Sequence, residues 1–262
     1  MRYFITLILT SICVLACSHV NASNSDEIDE ALSKLDNVIE DRQHHRNIRK
    51  HAVDSLCRIF DCETDTMSRI LLAEKIGYKL SQTNIDSARN YFETGRNLAE
   101  EIGDNSLRLR LEAHRLSMIA LGKDLFLGAQ LFSDIDTTQI IDRDKQEFYS
   151  AGSRLYLSFA SFVSPEEAIQ FRESGRLCAL RYLEHTPRDT PPYNYVDGLV
   201  AFLDNRKAKA KALLSDVIEN TENDDMYRSF AEEALGAIAL NENDYEEATI
   251  HLANAVTLDI KN

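Results

Sequence analysis

The sequence is poor in residues that interrupt regular structure. Nine glycines and four prolines in 262 residues make about 5% of the chain, where an average protein carries roughly 12%. A sandwich or barrel of short strands needs turn residues at intervals of roughly 8 to 12 positions. Because so few are present, the sequence argues against an all-β fold and favours long, uninterrupted helices.

Basic residues are too few to balance the acidic ones. The chain has 29 Lys+Arg against 43 Asp+Glu, a net charge of -14. Binding to a phosphate backbone depends on Lys and Arg displacing condensed counterions. We therefore expect no direct nucleic-acid binding. An apolar content of 44% still predicts a folded protein with a sizeable core.

Long apolar runs are absent except at the N-terminus. Arg2 precedes an apolar stretch at residues 4–16, shorter than the roughly 20 residues of a membrane span. It fits a signal peptide at residues 1–22, cleaved before Ser23. Alternatively, the sequence VLAC ending at Cys17 resembles a bacterial lipobox, and an uncleaved anchor is a third interpretation. In the first two cases the chain is expected to be exported, periplasmic after cleavage before Ser23 and an outer-membrane lipoprotein if Cys17 is acylated. Of these two, only acylation would attach it to a membrane.

Cysteines are few. After signal removal, Cys57, Cys62 and Cys178 remain, an odd number that leaves one thiol without an intrachain partner. Five residues apart on one helix, Cys57 and Cys62 lie on different faces, so a disulfide would require the helix to end near Phe60. Buried apolar thiols are the simpler interpretation.

Residues 23–62 predict one long amphipathic helix. Apolar residues recur at helical spacing from Ile28 to Ile39 and, after a polar gap at residues 41–47, again from Ile48 to Phe60. Around this gap Glu40 and His44, and Asp41 and His45, stand four apart. Exposed polar side chains explain these pairs better than a metal site, and no metal or cofactor is predicted.

The remaining residues, 63–262, contain a repeat. Near the C-terminus, Leu235-Gly236 followed by Ala248 and Leu252 resembles the tetratricopeptide pattern, although its Trp is missing. Weaker copies upstream place the anchoring alanines 38 to 42 residues apart. The predicted ends of the helices agree with this repeat: Ser164-Pro165 indicates a helix start, and residues 185–192 indicate a loop.

This spacing predicts an all-α fold: a right-handed superhelical solenoid of about five TPR-like helix pairs, preceded by the long helix. A small residue in one helix lets its neighbour approach closely. The positions expected to serve this packing are Ala88, Ala129, Ala168, Gly198, Ala210, Gly236 and Ala248.

The motifs IDxAL from Ile28, DSA ending at Ala88 and HLANAV from His251 resemble the N-terminal half of a family of Gram-negative bacterial tetratricopeptide signalling proteins, labelled as a domain of unknown function. The resemblance implies exported repeats followed by a transmembrane helix, a coiled coil and a cytoplasmic region resembling a DNA-binding output module. Because the sequence stops at Asn262, we expect a sensor half without its output. The last helix would then expose an apolar face, which predicts a truncated product or an end that docks on another protein, including self-association.

Motifs of known enzyme classes are missing, among them the P-loop, the dinucleotide fingerprint, H-E-x-x-H, G-x-S-x-G and C-x-x-C. We predict no catalytic residues. A hydrolase with a dispersed site is the weakest alternative function.

Stacked helix pairs present a concave surface lined by the first helix of each pair. One register places Ala73-Glu74, His114-Arg115, Ser153-Arg154, Tyr195-Val196 and Glu233-Ala234 at equivalent positions there. Arg115 and Arg154 would be neighbours able to hold a carboxylate or phosphate, unless each pairs with a nearby acid. The candidate ligand-binding residues are His114, Arg115, Arg154, Tyr195 and Glu233.

The predicted function is therefore a non-enzymatic module that binds a protein or peptide, in the exported sensor half of a bacterial signalling or transcription-regulating protein. The alternative is an outer-membrane lipoprotein that scaffolds or captures nutrients or glycans.

Overall fold

The computed structural model describes residues 25–81, 83–122, 124–221 and 225–261. In these ranges the chain forms helices and no strand, which confirms the all-α, TPR-like helical-repeat prediction. The expectations for residues 1–22, for Cys17 and for Asn262 lie outside the described residues. The helices are α1 Ser25–Cys62, α2 Thr66–Leu80, α3 Ile85–Glu101, α4 Asn105–Leu121, α5 Leu125–Asp134, α6 Asp142–Ala160, α7 Pro165–Glu184, α8 Pro191–Leu203, α9 Lys207–Asn220, α10 Asp225–Glu242 and α11 Tyr245–Lys261.

The helices divide into two compact units. The central unit comprises residues 48–187, and the terminal unit comprises residues 25–47 together with 188–261. In each unit, helices adjacent in sequence pack as pairs: α2 with α3 and α6 with α7 in the central unit, α8 with α9 and α10 with α11 in the terminal unit. No helix among the described residues is long and apolar enough to cross a membrane.

Each second helix of a pair carries a small, buried residue four positions after its N-cap. Ala88, Ala168, Ala210 and Ala248 hold this position with at most 1% of their surface exposed. In α5 the position belongs to Gly128, which follows the N-cap Asp124, and the anchor predicted at Ala129 is displaced by one residue and only half-buried. The reason is steric, since a Cβ on Gly128 would lie 2.7 Å from Cδ1 of Leu155.

The large side chain of one helix fits over a glycine of its partner. A Cβ on Gly77 would meet the Phe92 ring at 2.6 Å, and a Cβ on Gly236 would meet Cγ of Leu252 at 2.7 Å. At Gly198 the corresponding distance, to Leu214, is 3.0 Å. Both units therefore use the same close helix contact, in which only hydrogen fits on one side.

The helix ends follow local chemistry. Ser164 and Glu167 form a capping box at the start of α7, with Pro165 in the first turn. The predicted loop ends earlier than expected, because α8 already begins at Pro191, capped by Thr190. Proline is well tolerated there, since a first-turn residue needs no helical N–H bond.

Helix α1 covers the last helix of the repeat. Ala31 and Leu35 of α1 are buried against Ala253, and Ile250 and Val256 flank them. The prediction that the last helix has no apolar cover is therefore wrong, because the amphipathic start of the chain supplies it. Helix α1 continues unbroken to Cys62, and Cys57, Cys62 and Cys178 are free thiols.

Candidate functional site

The shared register of the first helices brings side chains of neighbouring pairs into contact. In the central unit, Glu74 of α2 contacts His114 of α4, and Nε2 of His114 lies 3.1 Å from Oε1 of Glu74. Nδ1 of His114 lies 3.1 Å from Oε1 of Glu147 on α6. One imidazole thus links three successive first helices, and we name these three residues with Arg110 and Tyr78 the His114 cluster.

His114 is a buried cation. Its side chain is 3% exposed, and each ring nitrogen faces a carboxylate, so both nitrogens are assigned as protonated donors. Burial alone would lower the pKa of His114, but the hydrogen bonds and charges of Glu147 and Glu74 outweigh it and raise the pKa to about 9. The imidazole is consequently charged at neutral pH and is part of the scaffold rather than an open ligand contact.

Both carboxylate oxygens of Glu74 contact cationic side chains. Nη2 of Arg110 donates to Oε2 of Glu74 at 2.9 Å, and Nε of Arg110 lies 2.9 Å from Oε1. Burial would raise the pKa of Glu74, yet the hydrogen bond from His114 and the charge of Arg110 lower it overall. Burial acts on Glu147 in the same direction, and His114 likewise makes the net shift of its pKa downward.

The two arginines predicted to be neighbours have different hydrogen-bond partners. Arg115 makes a bidentate contact with Glu112, from Nη2 to Oε1 at 2.7 Å and from Nε to Oε2 at 3.1 Å. Glu112 also lies 3.7 Å from Arg96 of α3. Arg154 is exposed and donates to Ser150 at 3.1 Å. The predicted convergence is thus replaced by an internal ion pair at Arg115, because an acid three residues earlier on the same helix face is closer than the next repeat.

In the terminal unit the equivalent face is aromatic. Tyr195 of α8 lies 5.7 Å from Phe230 of α10 between ring centroids, and Tyr227 lies 6.1 Å from Tyr195 and 6.2 Å from Phe230. All three rings are half-buried, which leaves part of each in contact with solvent. We name these three residues the aromatic face. Tyr193, a further tyrosine of α8, is half-buried on the first turn of that helix.

Glu233, the last predicted position, follows Phe230 by one turn of α10. Burial raises its pKa, and the negative charge of Asp259 on α11 adds to the effect. Asp259 accepts a hydrogen bond of 2.5 Å from Ser229. The carboxylate of Glu233 therefore lies on α10, the helix that carries two of the three rings of the aromatic face.

Sequence reasoning missed Glu147, Tyr78 and Glu232. Glu147 lies two helical turns before Arg154, so an i, i+7 search from the predicted position would have found it. Glu232 is 5% exposed in its side chain and accepts from Nδ1 of His251 at 2.6 Å, although the sequence offers no sign of this pair. Glu40, Asp41 and His44 are exposed on α1, and in the described ranges no three His, Cys, Asp or Glu side chains form a group suited to a metal ion.

Helix pairs with a common register, close glycine contacts and variable first-helix faces define a tetratricopeptide-like helical-repeat module, a class that generally mediates protein interactions and is generally non-enzymatic. Residues 39–262 match the family described as the SusR N-terminal TPR domain, and the chain belongs to this family. No curated protein and no solved structure matches the chain.

Proposed function

We propose that this chain is a non-enzymatic module that binds a protein segment through the aromatic face of the terminal unit. The observation that carries the proposal is the grouping of Tyr195, Tyr227 and Phe230, three partly exposed rings from two successive first helices. Rigid aromatic side chains offer a large contact area at a small entropic cost and dominate many binding interfaces.

The charge of the terminal unit narrows the choice of partner. Its sequence, residues 25–47 and 188–262, holds 10 Lys+Arg and 22 Asp+Glu, a net charge of -12. Complementary charge speeds association and disfavours wrong partners. The expected partner is therefore a peptide with an apolar or aromatic anchor and flanking Lys or Arg residues.

Selection of peptides tests this proposal. A phage library of random peptides is panned on the full chain, and enriched peptides are measured by fluorescence polarisation against Tyr227→Ala. Loss of a central aromatic contact is expected to weaken binding about tenfold or more. Tyr245→Ala is the matched control, since Tyr245 is an exposed tyrosine on the second helix α11. A library that yields no enriched peptide, or peptides that lose affinity only with Tyr245→Ala, would contradict the proposal.

We further propose, on the family resemblance, that the module is the exported sensor half of a bacterial signalling protein. The outer-membrane lipoprotein remains the alternative, because the residues VLAC resemble a lipobox. Mass spectrometry of the mature N-terminus separates the two: a free Ser23 supports the periplasmic sensor, and a lipidated Cys17 supports the lipoprotein.

A further inference from the structure

Helix α1 carries a cationic segment in a chain that is acidic as a whole. Between Asp41 and Asp54 the sequence contains four Lys+Arg, three His and no carboxylate, whereas the whole chain has a net charge of -14. Arg42, Arg46 and Lys50 are exposed on this helix. In the described part of the chain, no carboxylate lies within 4.0 Å of these three side chains. Their charges are therefore not neutralised by the residues that the structure describes.

The three cations form one row along α1, which we name the basic row. They stand four residues apart, and four residues of an α-helix rise about 6 Å, so the row is about 12 Å long. Like charges four residues apart on a helix repel each other and destabilise the helix. An anion bound along the row would remove this repulsion.

The basic row lies on the side of α1 that packs against other helices. Residues seven apart share one helix face, so Arg42 continues the face of Leu35, and Arg46 lies two such steps before Phe60. Leu35 is buried against α11, and Phe60 is buried against α2. A flat bilayer surface would have to displace these helices to reach the row, whereas a narrow ligand reaches the exposed side chains directly.

The spacing of the basic row matches that of an extended peptide. Alternate side chains of an extended strand point to the same side and lie about 6.7 Å apart, close to the rise of about 6 Å between successive cations of the row. Three acidic residues at alternate positions can thus face one cation each. Nucleic acid carries negative charge along its whole length, and the acidic remainder of this chain opposes its approach.

We propose that Arg42, Arg46 and Lys50 bind an extended acidic segment of a partner protein, with Asp or Glu at alternate positions. The planar guanidinium of each arginine fits a carboxylate through two parallel hydrogen bonds, and the lysine adds a compact charge. An exposed ion pair contributes little by itself, so the affinity comes from three pairs formed together. The inference does not depend on the aromatic face.

Short ligands added to the full chain test the basic row. The probe is acetyl-Glu-Gly-Glu-Gly-Glu-amide, and its uncharged counterpart has Gln in place of each Glu. A thymidine oligonucleotide with three phosphates carries the same charge as the probe. Binding of these ligands is followed by NMR of the ¹⁵N-labelled chain, through the backbone amide signals of α1. Phosphatidylglycerol vesicles represent a membrane, and their binding is measured by co-sedimentation.

We expect saturable shifts around the basic row with the acidic peptide, and weaker binding as NaCl rises from about 20 to about 150 mM. The double variant Arg42→Gln/Arg46→Gln should weaken binding about fivefold or more, and each single variant about twofold. Lys34→Gln/Arg58→Gln is the matched control, because both residues are exposed on α1 and their loss changes the net charge equally. Since the substitutions in the row remove repulsion, the first double variant should unfold at no lower urea concentration than the control does.

Four outcomes would overturn the proposal. They are the absence of a saturable shift up to about 20 mM acidic peptide at low salt, equal binding of the Gln peptide, binding of the oligonucleotide or the vesicles at least as tight as that of the acidic peptide, and a folded Arg42→Gln/Arg46→Gln variant that loses no more affinity than the control.

Discussion

The central and terminal units share the same close contact between helices, but the exposed faces of their first helices differ in chemistry. Gly77 meets Phe92 in the central unit as Gly236 meets Leu252 in the terminal unit. Yet the first helices of the central unit hold an ion-paired network around His114, and those of the terminal unit hold aromatic rings around Phe230. The repeat therefore fixes where a face lies, and the residues between the packing positions decide what that face binds.

Net charge separates the units as well. Residues 48–187 hold 18 Lys+Arg and 21 Asp+Glu, a net charge of -3, against -12 for the terminal unit. Most of the chain's negative charge thus belongs to one unit. We therefore expect the terminal unit to attract basic segments more strongly than the central unit does.

The largest expected effect comes from removing the buried cation of the central unit. His114→Leu leaves Glu147 without its ion pair and Glu74 with Arg110 alone, in side chains 33% and 15% exposed. Stranding partly buried charge should lower the free energy of unfolding by about 2 to 3 kcal/mol, measured by urea denaturation. His44→Leu on the exposed face of α1 is the control, and equal losses in both variants would refute the structural role of His114.

The pH dependence of the same variant sharpens the comparison. Folding raises the pKa of His114 from 6.5 to about 9, so its stabilisation is complete below pH 6.5 and is lost as the pH rises through about 9. The stability difference between wild type and His114→Leu should shrink by about 2 kcal/mol between pH 6.5 and 9.5. Taking the difference cancels the titrating groups that do not contact His114, and a difference that stays constant with pH would contradict a charged imidazole.

Alanine at the nested glycines tests the feature that the units share. Gly77→Ala and Gly236→Ala each gain about 1 kcal/mol of helix propensity but place a Cβ within 2.7 Å of a neighbouring side chain. We expect net losses of about 1 to 2 kcal/mol in both, by thermal or urea unfolding. Gly95→Ala, whose nearest neighbour would be 3.2 Å away, should cost less. If only one of the two variants loses stability, the units do not share the same close helix contact.

The smallest effect is expected at Glu233 of the terminal unit. Its pKa is raised by burial and by Asp259, so folding disfavours its ionised form, and this destabilisation is present as the pH rises above the carboxyl's ordinary value. Glu233→Gln should therefore raise the free energy of unfolding at pH 7 by less than about 1 kcal/mol. Asp26→Asn, at an exposed acid of α1, provides the reference, and a clear loss of stability in Glu233→Gln would show an unrecognised favourable partner.

The packing positions could be predicted from the sequence because they recur at a regular spacing. Gly236 and Ala248 follow from a period of about 40 residues and from the small size that close helix contact requires. Where no size constraint distinguished Gly128 from Ala129, the anchor was displaced by one residue. The N-cap at Asp124 would have corrected it, since the buried residue follows each cap by four positions.

The faces were less predictable because contacts between helices have no fixed sequence separation. The register aligned Glu74 with Arg115 and His114 with Ala73. It therefore did not reveal that Glu74 and His114 touch, and it gave no sign of Glu147 as the second acceptor. Arg115 satisfied the register but pairs with Glu112. The cover of the last helix by Ala31 and Leu35 joins opposite ends of the sequence, which a local periodicity cannot show.

The central claim is that first-helix faces bind and second-helix faces pack or contact solvent. The most direct measurement is NMR mapping of a selected peptide on ¹⁵N- and methyl-labelled chain. The largest shift changes are expected on α8 and α10, around Tyr195 and Phe230. Changes concentrated instead on second helices, such as around the exposed Phe126 of α5 or Ile169 of α7, would contradict the account.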